Sequence, residues 1–343
     1  MLDQIPIQLS GVPGSPYTRK MLALLRYRRL AYRFHANNSP PKGFPRPKVQ
    51  LLPTFYLPAK TGDLEAVVDS TPIIRRLERD FVGREVRPPD PVLGLISDLL
   101  EDYGDEWLTK AMFHYRWVYP ADIKQARDIL PCWTQSQIPD ADLNARRQMI
   151  AERQISRLHV VGSNPVTGPV IEESYVRLLD MLEAHFRDHR FLLGARPSAA
   201  DFAIYGQLTQ LTHFDPTPMA LCLARAQRVY AWVDLMEDLS GLEVDEGGWL
   251  DTRTLPQTLL EILAEVGRTY VPVMLANEAA LATGAEAVDT TVEGRTWTQP
   301  PFAYQAKCLQ SLRSGHGALG GADRILADQI MVKANCSRLF ANS

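Results

Sequence analysis

The order of the elements predicted for the first 34 residues constrains the fold more than any other feature of the chain. Residues 5–9 have apolar side chains at alternating positions and run into a turn containing Gly and Pro, which is typical of a strand. Pro16 is suited to the first turn of a following helix, and residues 31–34 predict a second strand. A strand, a helix and a strand in this order form a parallel pair with a right-handed crossover.

A proline interrupts the next strand-like segment. Residues 49–57 are mostly apolar, but Pro53 stands in their middle, where a strand normally excludes proline because it has no N–H to donate. Residues 64–68 predict a hairpin partner, and the pair Asp69-Ser70 then precedes a predicted helix as a cap. The position of the proline needs an explanation other than strand pairing.

Strand signals disappear in the next part of the chain, where apolar residues recur at helical spacing. Helices are predicted at residues 92–109, 142–158, 174–185 and 224–236, followed by helices at 255–282 and 304–312, a hairpin within 287–299 and a Gly-rich stretch at 315–321. Ser198-x-x-Asp201 has the spacing of a capping box. The predicted divisions are an α/β domain at 1–85, a linker at 86–91, an all-helical domain at 92–246 and an extension at 247–343.

The composition is that of an ordinary globular protein, with 37 basic and 40 acidic residues and a net charge of −3. This balance gives no indication of a nucleic-acid or membrane partner. The first six residues have no basic start followed by a long apolar run, so we expect no secretory signal, and no apolar run reaches the roughly 18 residues of a membrane span. We therefore expect a cytoplasmic protein.

The side chains that bind metals are dispersed along the chain. The sequence separations of the cysteines do not match those of metal-binding or redox motifs. The four cysteines are Cys132, Cys222, Cys308 and Cys336. His185 and His189 are four residues apart, but such residues commonly close a helix. We expect no metal site and assign the cysteines no chemistry.

Four short motifs follow one another between residues 5 and 240. They are Ser15-Pro16-Tyr17-Thr18-Arg19, Leu51-Leu52-Pro53-Thr54, Asp69-Ser70 and Ser198-Ala199-Ala200-Asp201. In this order and spacing they resemble the cytosolic glutathione S-transferase family, and the first motif is similar to that of its serine-type, tau/theta-like classes. The resemblance implies a thioredoxin-like α/β domain followed by an all-α domain, with a C-terminal extension beyond the family layout.

The resemblance also implies a glutathione site. Ser15 stands where the family has a catalytic serine, which donates a hydrogen bond to the glutathione thiolate. The main chain at Leu52 is expected to pair with the cysteinyl part of glutathione, beside a cis Pro53. Asp69 and Ser70 are expected to receive the ammonium and carboxylate of the γ-glutamyl group.

Other site assignments are less direct. Tyr17 is a second hydroxyl near the first helix, and Lys48 and Gln50 are nearest to the position where the family binds the glycyl carboxylate. Three aromatic residues of the helical domain are expected to line the pocket of a small apolar electrophile: Tyr103, Trp107 and Tyr115.

Two classes of function are therefore open. The leading hypothesis is an enzyme of detoxification that attaches glutathione, as co-substrate and without a metal, to an apolar electrophile, or that catalyses a related lyase or dehalogenase reaction. The alternative is a non-catalytic binding or scaffold protein of the same fold. A homodimer is implied by the resemblance alone.

Overall fold

The computed structural model describes residues 6–245 and 247–341. Its N-terminal part is a four-stranded sheet of order β2-β1-β3-β4. The strands are β1 (Ile7–Gly11), β2 (Tyr32–Ala36), β3 (Thr54–Pro58) and β4 (Leu64–Val67), and the helices between and after them are α1 (Pro16–Tyr27) and α2 (Ser70–Asp80). The predicted parallel pair of β1 and β2 and the antiparallel hairpin of β3 and β4 are confirmed. Ile5, the first residue of the predicted strand, lies outside the described residues.

Pro53 lies directly before a strand rather than within one. The Leu52–Pro53 peptide bond is cis, as the resemblance implied, and β3 begins at Thr54. Thr54 is also the first residue of β3 to pair with β1, opposite Ser10. Pro53 therefore removes no hydrogen bond from the sheet ladder, which explains how an interior strand can follow a proline.

The register brings several chain segments to one end of the sheet. Ser10 near the end of β1 lies opposite Thr54 at the start of β3, and Phe55 lies opposite Val67 at the end of β4. The loop before α1, the Leu52–Pro53 bond and the start of α2 consequently share this end. The long connection that follows β2 also begins here, because β2 runs parallel to β1.

The next part of the chain is helical. Its helices are α3 (Pro91–Tyr103), α4 (Thr109–Val118), α5 (Pro120–Ile129), α6 (Asp140–Ile155), α7 (Gly168–His185), α8 (Ala199–His213), α9 (Pro216–Arg225) and α10 (Gln227–Met236). The prediction of one helix at 92–109 is wrong, because a π-helical turn at Gly104–Leu108 separates α3 from α4. The prediction at 224–236 is also wrong at its start, where Ala226 leaves the helical conformation with φ −141°.

The capping box at the start of α8 is confirmed. The Asp201 carboxylate accepts hydrogen bonds from the Ser198 N–H at 2.8 Å and from the Ser198 hydroxyl at 2.7 Å. It also accepts one from the Leu192 N–H at 2.8 Å. The box thus fixes both the helix start and the loop that precedes it.

The extension forms one long helix, a hairpin and two further helices. They are α11 (Gln257–Thr283), β5 (Val288–Val292), β6 (Arg295–Gln299), α12 (Ala303–Gly317) and α13 (Gly321–Lys333). The hairpin is confirmed, and its turn residues Glu293 and Gly294 both have positive φ, as a two-residue turn requires. The sequence did not predict α13, which follows directly on the Gly-rich stretch.

The extension packs into the main core instead of forming a separate appendage. Trp297 of β6 is completely buried, and its ring centroid lies 5.2 Å from that of Trp107 in the π-helical turn. Lys110 of α4 lies over the Trp297 ring and donates a 2.9 Å hydrogen bond to Gln299. The domain boundaries named above stay a prediction.

Candidate functional site

Ser15 caps the start of α1 and keeps its own proton free. The residue has an extended conformation before Pro16, and its hydroxyl oxygen accepts a 3.2 Å hydrogen bond from the Thr18 N–H. Among the described residues, the Ser15 hydroxyl has no acceptor for its proton. A serine hydroxyl has one proton to donate, so Ser15 can give it to a ligand placed before the helix.

The loop that presents Ser15 is held by side chains of both domains. The Pro13 carbonyl accepts hydrogen bonds from Arg19 at 3.1 Å and from Gln210 at 3.2 Å. The Gly14 carbonyl accepts a third from Arg116 at 3.3 Å. The position of the serine therefore depends on the helical domain as well as on its own helix.

An apolar surface lies directly against this loop. A Cβ atom added at Gly14 would come within 2.5 Å of Leu130 and 2.6 Å of Trp133. The partly buried Trp133 ring packs on Phe214 with centroids 4.7 Å apart. Sequence reasoning missed these residues, because it assigned no element to the segment that contains Leu130 and Trp133.

A buried lysine joins the two domains at the same end of the sheet. The Lys20 ammonium donates hydrogen bonds to Glu101 and Asp105, each at 2.7 Å, and to the Ser70 hydroxyl at 3.0 Å. Burial by itself lowers the pKa of Lys20, but the two carboxylates outweigh this effect and raise the pKa overall. Lys20 therefore keeps its charge, and it links α1, α2 and α3.

The Ser70 hydroxyl is engaged inside this cluster. It accepts from Lys20, and its proton is directed to the Asp105 carboxylate at 3.3 Å. The Tyr17 hydroxyl is engaged as well, since it donates to the main-chain carbonyl of Asp105 at 2.8 Å. Of the three hydroxyls proposed for the site, only that of Ser15 keeps its proton for a ligand.

Asp69 lies at the start of α2 in a strained conformation, and its side chain does not cap the helix. Its φ is 81°, in the left-handed region that a residue with a side chain adopts at a cost. Tyr304 of α12 lines the same cavity as Asp69. Burial raises the pKa of Asp69. The extension thus reaches a residue predicted to bind glutathione.

The residues proposed for the glycyl end of glutathione line a basic cavity. Lys48 and Gln50 border a cavity of about 540 Å³ together with Lys42 and Arg46, which sequence reasoning did not select. Gln50 donates a 2.6 Å hydrogen bond to the Asn38 carbonyl. The three cations of this loop, which follows β2, could bind a carboxylate.

The main chain at Leu52 is unpaired. Over residues 6–245 and 247–341, no hydrogen bond uses the Leu52 N–H or carbonyl. Leu52 is also partly exposed, whereas Pro53 after it is buried. These free backbone groups could pair with a peptide-like ligand.

The three aromatic residues proposed for the electrophile pocket are buried in the core, and the extension covers two of them. Tyr103 is 1% exposed and packs on Tyr270 of the extension, and Trp107 is 2% exposed and packs on Trp297. The expectation that they line an open wall is wrong, because the extension covers them. Tyr115 is equally buried, at the base of a surface groove that Tyr119 also borders.

Neither the histidines nor the cysteines form a metal site in the part of the chain that the structure describes. The His185 and His189 rings stack with centroids 4.7 Å apart, and burial lowers the pKa of His185 to about 4. All four cysteines are free thiols.

Comparison with known proteins agrees with this arrangement. Residues 9–85 match the family described as Glutathione S-transferase, N-terminal domain, and residues 146–235 match Glutathione S-transferase, C-terminal domain. The chain carries both domains of the glutathione S-transferase family. Its architecture is accordingly a thioredoxin-like α/β domain followed by a helical domain. Within the described residues, no helix is long and apolar enough to cross a membrane.

Solved structures of transferases are similar to this chain. A glutathione transferase family member from Pseudomonas fluorescens, with two glutathione molecules bound, is 14% identical, with 69% of this chain and 95% of that chain covered and a TM-score of 0.43. A glutathione S-transferase from Methylobacterium radiotolerans, in complex with glutathione sulfonate, is 18% identical, with 73% and 100% covered and a TM-score of 0.41. No curated protein matches the chain.

Proposed function

We propose that this transferase-family chain binds glutathione and stabilises its thiolate through a hydrogen bond from Ser15. The observation that carries the proposal is the free Ser15 proton at the start of α1, at the sheet end where the Leu52 main chain is also unpaired. Leu52 pairs with the cysteinyl part of the ligand, which directs the thiol toward Ser15.

The magnitudes are sufficient for activation. An ordinary cysteine thiol has a pKa of about 8.5, and lowering it by two units requires about 2.7 kcal/mol of preferential binding of the thiolate. A hydrogen bond to a charged group contributes about 1.5–3 kcal/mol. The start of a helix adds about 0.3–1 kcal/mol. Ser15 therefore acts as a donor, and neither its deprotonation nor a metal is needed.

The two ends of glutathione have separate partners in this proposal. The glycyl carboxylate binds in the basic cavity, where Lys48 and Gln50 are joined by Lys42 and Arg46. The γ-glutamyl ammonium binds at the Asp69 carboxylate. Opposite charges at the two ends of the site orient the tripeptide.

The activated thiolate attacks a small apolar electrophile held beside the loop before α1. Trp133 and Leu130, which pack against Gly14, form the surface for this second substrate. We expect Trp133→Ala to raise the KM for an aryl halide while leaving the dissociation constant of glutathione unchanged, as steady-state kinetics and calorimetry measure. The reaction class, whether conjugation or a lyase or dehalogenase reaction, is identified by product analysis over a panel of electrophiles.

The decisive experiment compares Ser15→Ala with the wild-type protein. Glutathione binding is measured by calorimetry, and the pKa of the bound thiol is measured by its ultraviolet absorbance as a function of pH. We expect the variant to raise that pKa by about one to two units and to lower kcat/KM about 10- to 100-fold, the loss of a hydrogen bond to a charged group. Ser156→Ala, an exposed helix-end serine, is the matched control.

Two results would contradict the proposal. If the wild-type protein does not bind glutathione at millimolar concentrations of the tripeptide, the whole proposal is refuted. Binding with an unchanged thiol pKa in Ser15→Ala removes the catalytic role of Ser15 and leaves only the binding function.

A second candidate function is a non-catalytic binding or scaffold protein. It is supported by the extension, which covers Tyr103 and Trp107 and reaches Asp69. Glutathione binding without turnover across the electrophile panel distinguishes this candidate from the enzyme. The homodimer, the cytoplasmic location and the role in detoxification stay predictions. Sedimentation measures the oligomeric state.

A further inference from the structure

A cavity of about 250 Å³ separates the start of α2 from the extension. Its lining includes Asp69 and Thr71 of the N-terminal domain and Tyr304 and Lys307 of α12, together with three acidic residues of α3. Tyr304 and Lys307 are three residues apart, so they lie on the same face of the helix. Because Tyr304 and Lys307 both line the cavity that Asp69 borders, that face of α12 is directed at the proposed γ-glutamyl site.

The hydroxyl predicted to bind the ligand carboxylate at this end is not available. Ser70 is buried, and its single proton is directed to Asp105 while its oxygen accepts from Lys20. Lys20 itself is fully occupied by Glu101, Asp105 and Ser70. A ligand carboxylate at this site therefore cannot use the Ser70 hydroxyl, and a cation beside the free N–H groups at the start of α2 would add to its binding.

The cavity contains two exposed cations, and only one of them is uncommitted. Arg75 donates a 3.0 Å hydrogen bond to Ser311 and lies 4.0 Å from Asp98. The Lys307 ammonium has no hydrogen bond or ion pair with any residue of the described ranges. Lys307 is thus the group in this cavity that can accept a new anionic partner without losing an existing one.

We infer that Lys307 of the extension binds the α-carboxylate of the γ-glutamyl group, while Asp69 binds its ammonium. The inference rests on the proposed binding of glutathione and names a residue outside both transferase domains as a determinant of specificity. The chemical class recognised is an α-amino acid head with both charges, since Asp69 and Lys307 offer opposite charges across one cavity. Tyr304, on the same face of α12 as Lys307, lines the cavity beside them as a positioning residue.

The test combines variants of Lys307 with ligands that lack one charge. Calorimetry on the full-length protein compares glutathione with 4-aminobutyryl-Cys-Gly, which lacks only the α-carboxylate, and with glutaryl-Cys-Gly, which lacks only the ammonium. We expect Lys307→Met to weaken the binding of glutathione about tenfold, which is the low end for the loss of a hydrogen bond to a charged group. The affinity for 4-aminobutyryl-Cys-Gly should stay unchanged. Lys307→Arg keeps the charge and retains most of the affinity.

The control is Lys333→Met, which removes an exposed lysine elsewhere in the extension. Equal affinity of Lys307→Met and the wild-type protein for glutathione overturns the inference, as does an equal loss for glutathione and 4-aminobutyryl-Cys-Gly. Both results leave glutathione binding by the wild-type protein intact. Failure of the wild-type protein to bind any of the three peptides instead overturns the proposed function, and the inference with it.

Discussion

At Lys20, two carboxylates and a hydroxyl surround an ammonium group that is completely buried. A buried charge is stable only where partners replace the water it has lost. The partners of Lys20 come from α2, α3 and the π-helical turn, so this single side chain fixes the relation between the two domains.

Replacing this lysine leaves two buried carboxylates without a cation. We expect Lys20→Met to lower the free energy of unfolding by about 3–5 kcal/mol, as measured by urea denaturation. Lys124→Met is the control, because its 3.0 Å ion pair with Asp128 is exposed and contributes about 0–1 kcal/mol. Equal effects of the two variants would show that the buried cluster is not a stabilising link.

The space at Gly14 gives a second prediction at this scale. A methyl group at Gly14 would overlap Leu130 and Trp133, so we expect Gly14→Ala to cost about 1–3 kcal/mol of stability. Because the loop presents Ser15, kcat/KM falls as well. Gly241→Ala, where an added Cβ meets no atom within 4 Å, is the control. A variant as stable and active as the control would contradict the prediction.

Single residues were predictable where the chemistry is local. Ser15 before Pro16 indicates a helix cap from neighbouring residues alone, and the structure has that cap. The state of the Ser70 hydroxyl was not predictable, because its partners Lys20 and Asp105 are distant in sequence. The acceptor of the Ser70 proton is known only when the positions of Ser70, Lys20 and Asp105 in the fold are known.

Among the elements, the π-helical turn at Gly104–Leu108 concentrates buried acids. It contains Asp105 and Glu106, and burial raises their pKa values to about 6 and about 8. Such a turn holds an extra residue compared with an α-helix, which shifts the side chains after it. A periodicity of 3.6 residues cannot predict this interruption, which is why a single regular helix was expected over residues 92–109.

The titration of Glu106 has a definite sign. The folded protein holds the proton up to about pH 8, whereas the unfolded chain releases it near the ordinary pKa of 4.5, so stability falls as the pH rises between these values. We expect Glu106→Gln to flatten this slope and to raise Tm most at the upper end of the range. Part of the slope remains in the variant, because burial also raises the pKa of Asp102, to about 7.

The measurement is Tm by calorimetry between about pH 5 and 7, below most of the titration of Lys110, whose pKa is lowered by burial to about 8. Glu261→Gln, at an exposed position of α11, is the control. A slope for Glu106→Gln identical to that of the wild-type protein would mean that Glu106 is already ionised in the fold.

At the scale of the whole molecule, the extension completes the core around the helical domain. We expect Trp297→Ala to lower the free energy of unfolding by about 3–5 kcal/mol in urea, because it leaves a cavity against Trp107. The control is Phe302→Ala, since this ring is 43% exposed. If the extension were an independent unit, the variant would unfold in two steps and the domains would keep their wild-type stability.

The layout of two domains was predictable from the order of four motifs, but the place of the extension was not. Trp297 and Tyr304 are ordinary aromatic residues in their local sequence. Only the packing of Trp297 on Trp107, and the cavity that Tyr304 shares with Asp69, show which surface they cover. For the same reason the sequence suggested Tyr103 and Trp107 as pocket residues. Helical spacing does not reveal that a distant segment lies over them.

Asp69 and Tyr304 lie far apart in the sequence but line the same cavity. During synthesis the N-terminal domain leaves the ribosome long before α12 is translated. A nascent chain therefore holds Ser15 and the Leu52 main chain without the wall that contains Lys307. The cavity is therefore complete only after α12 has been synthesised.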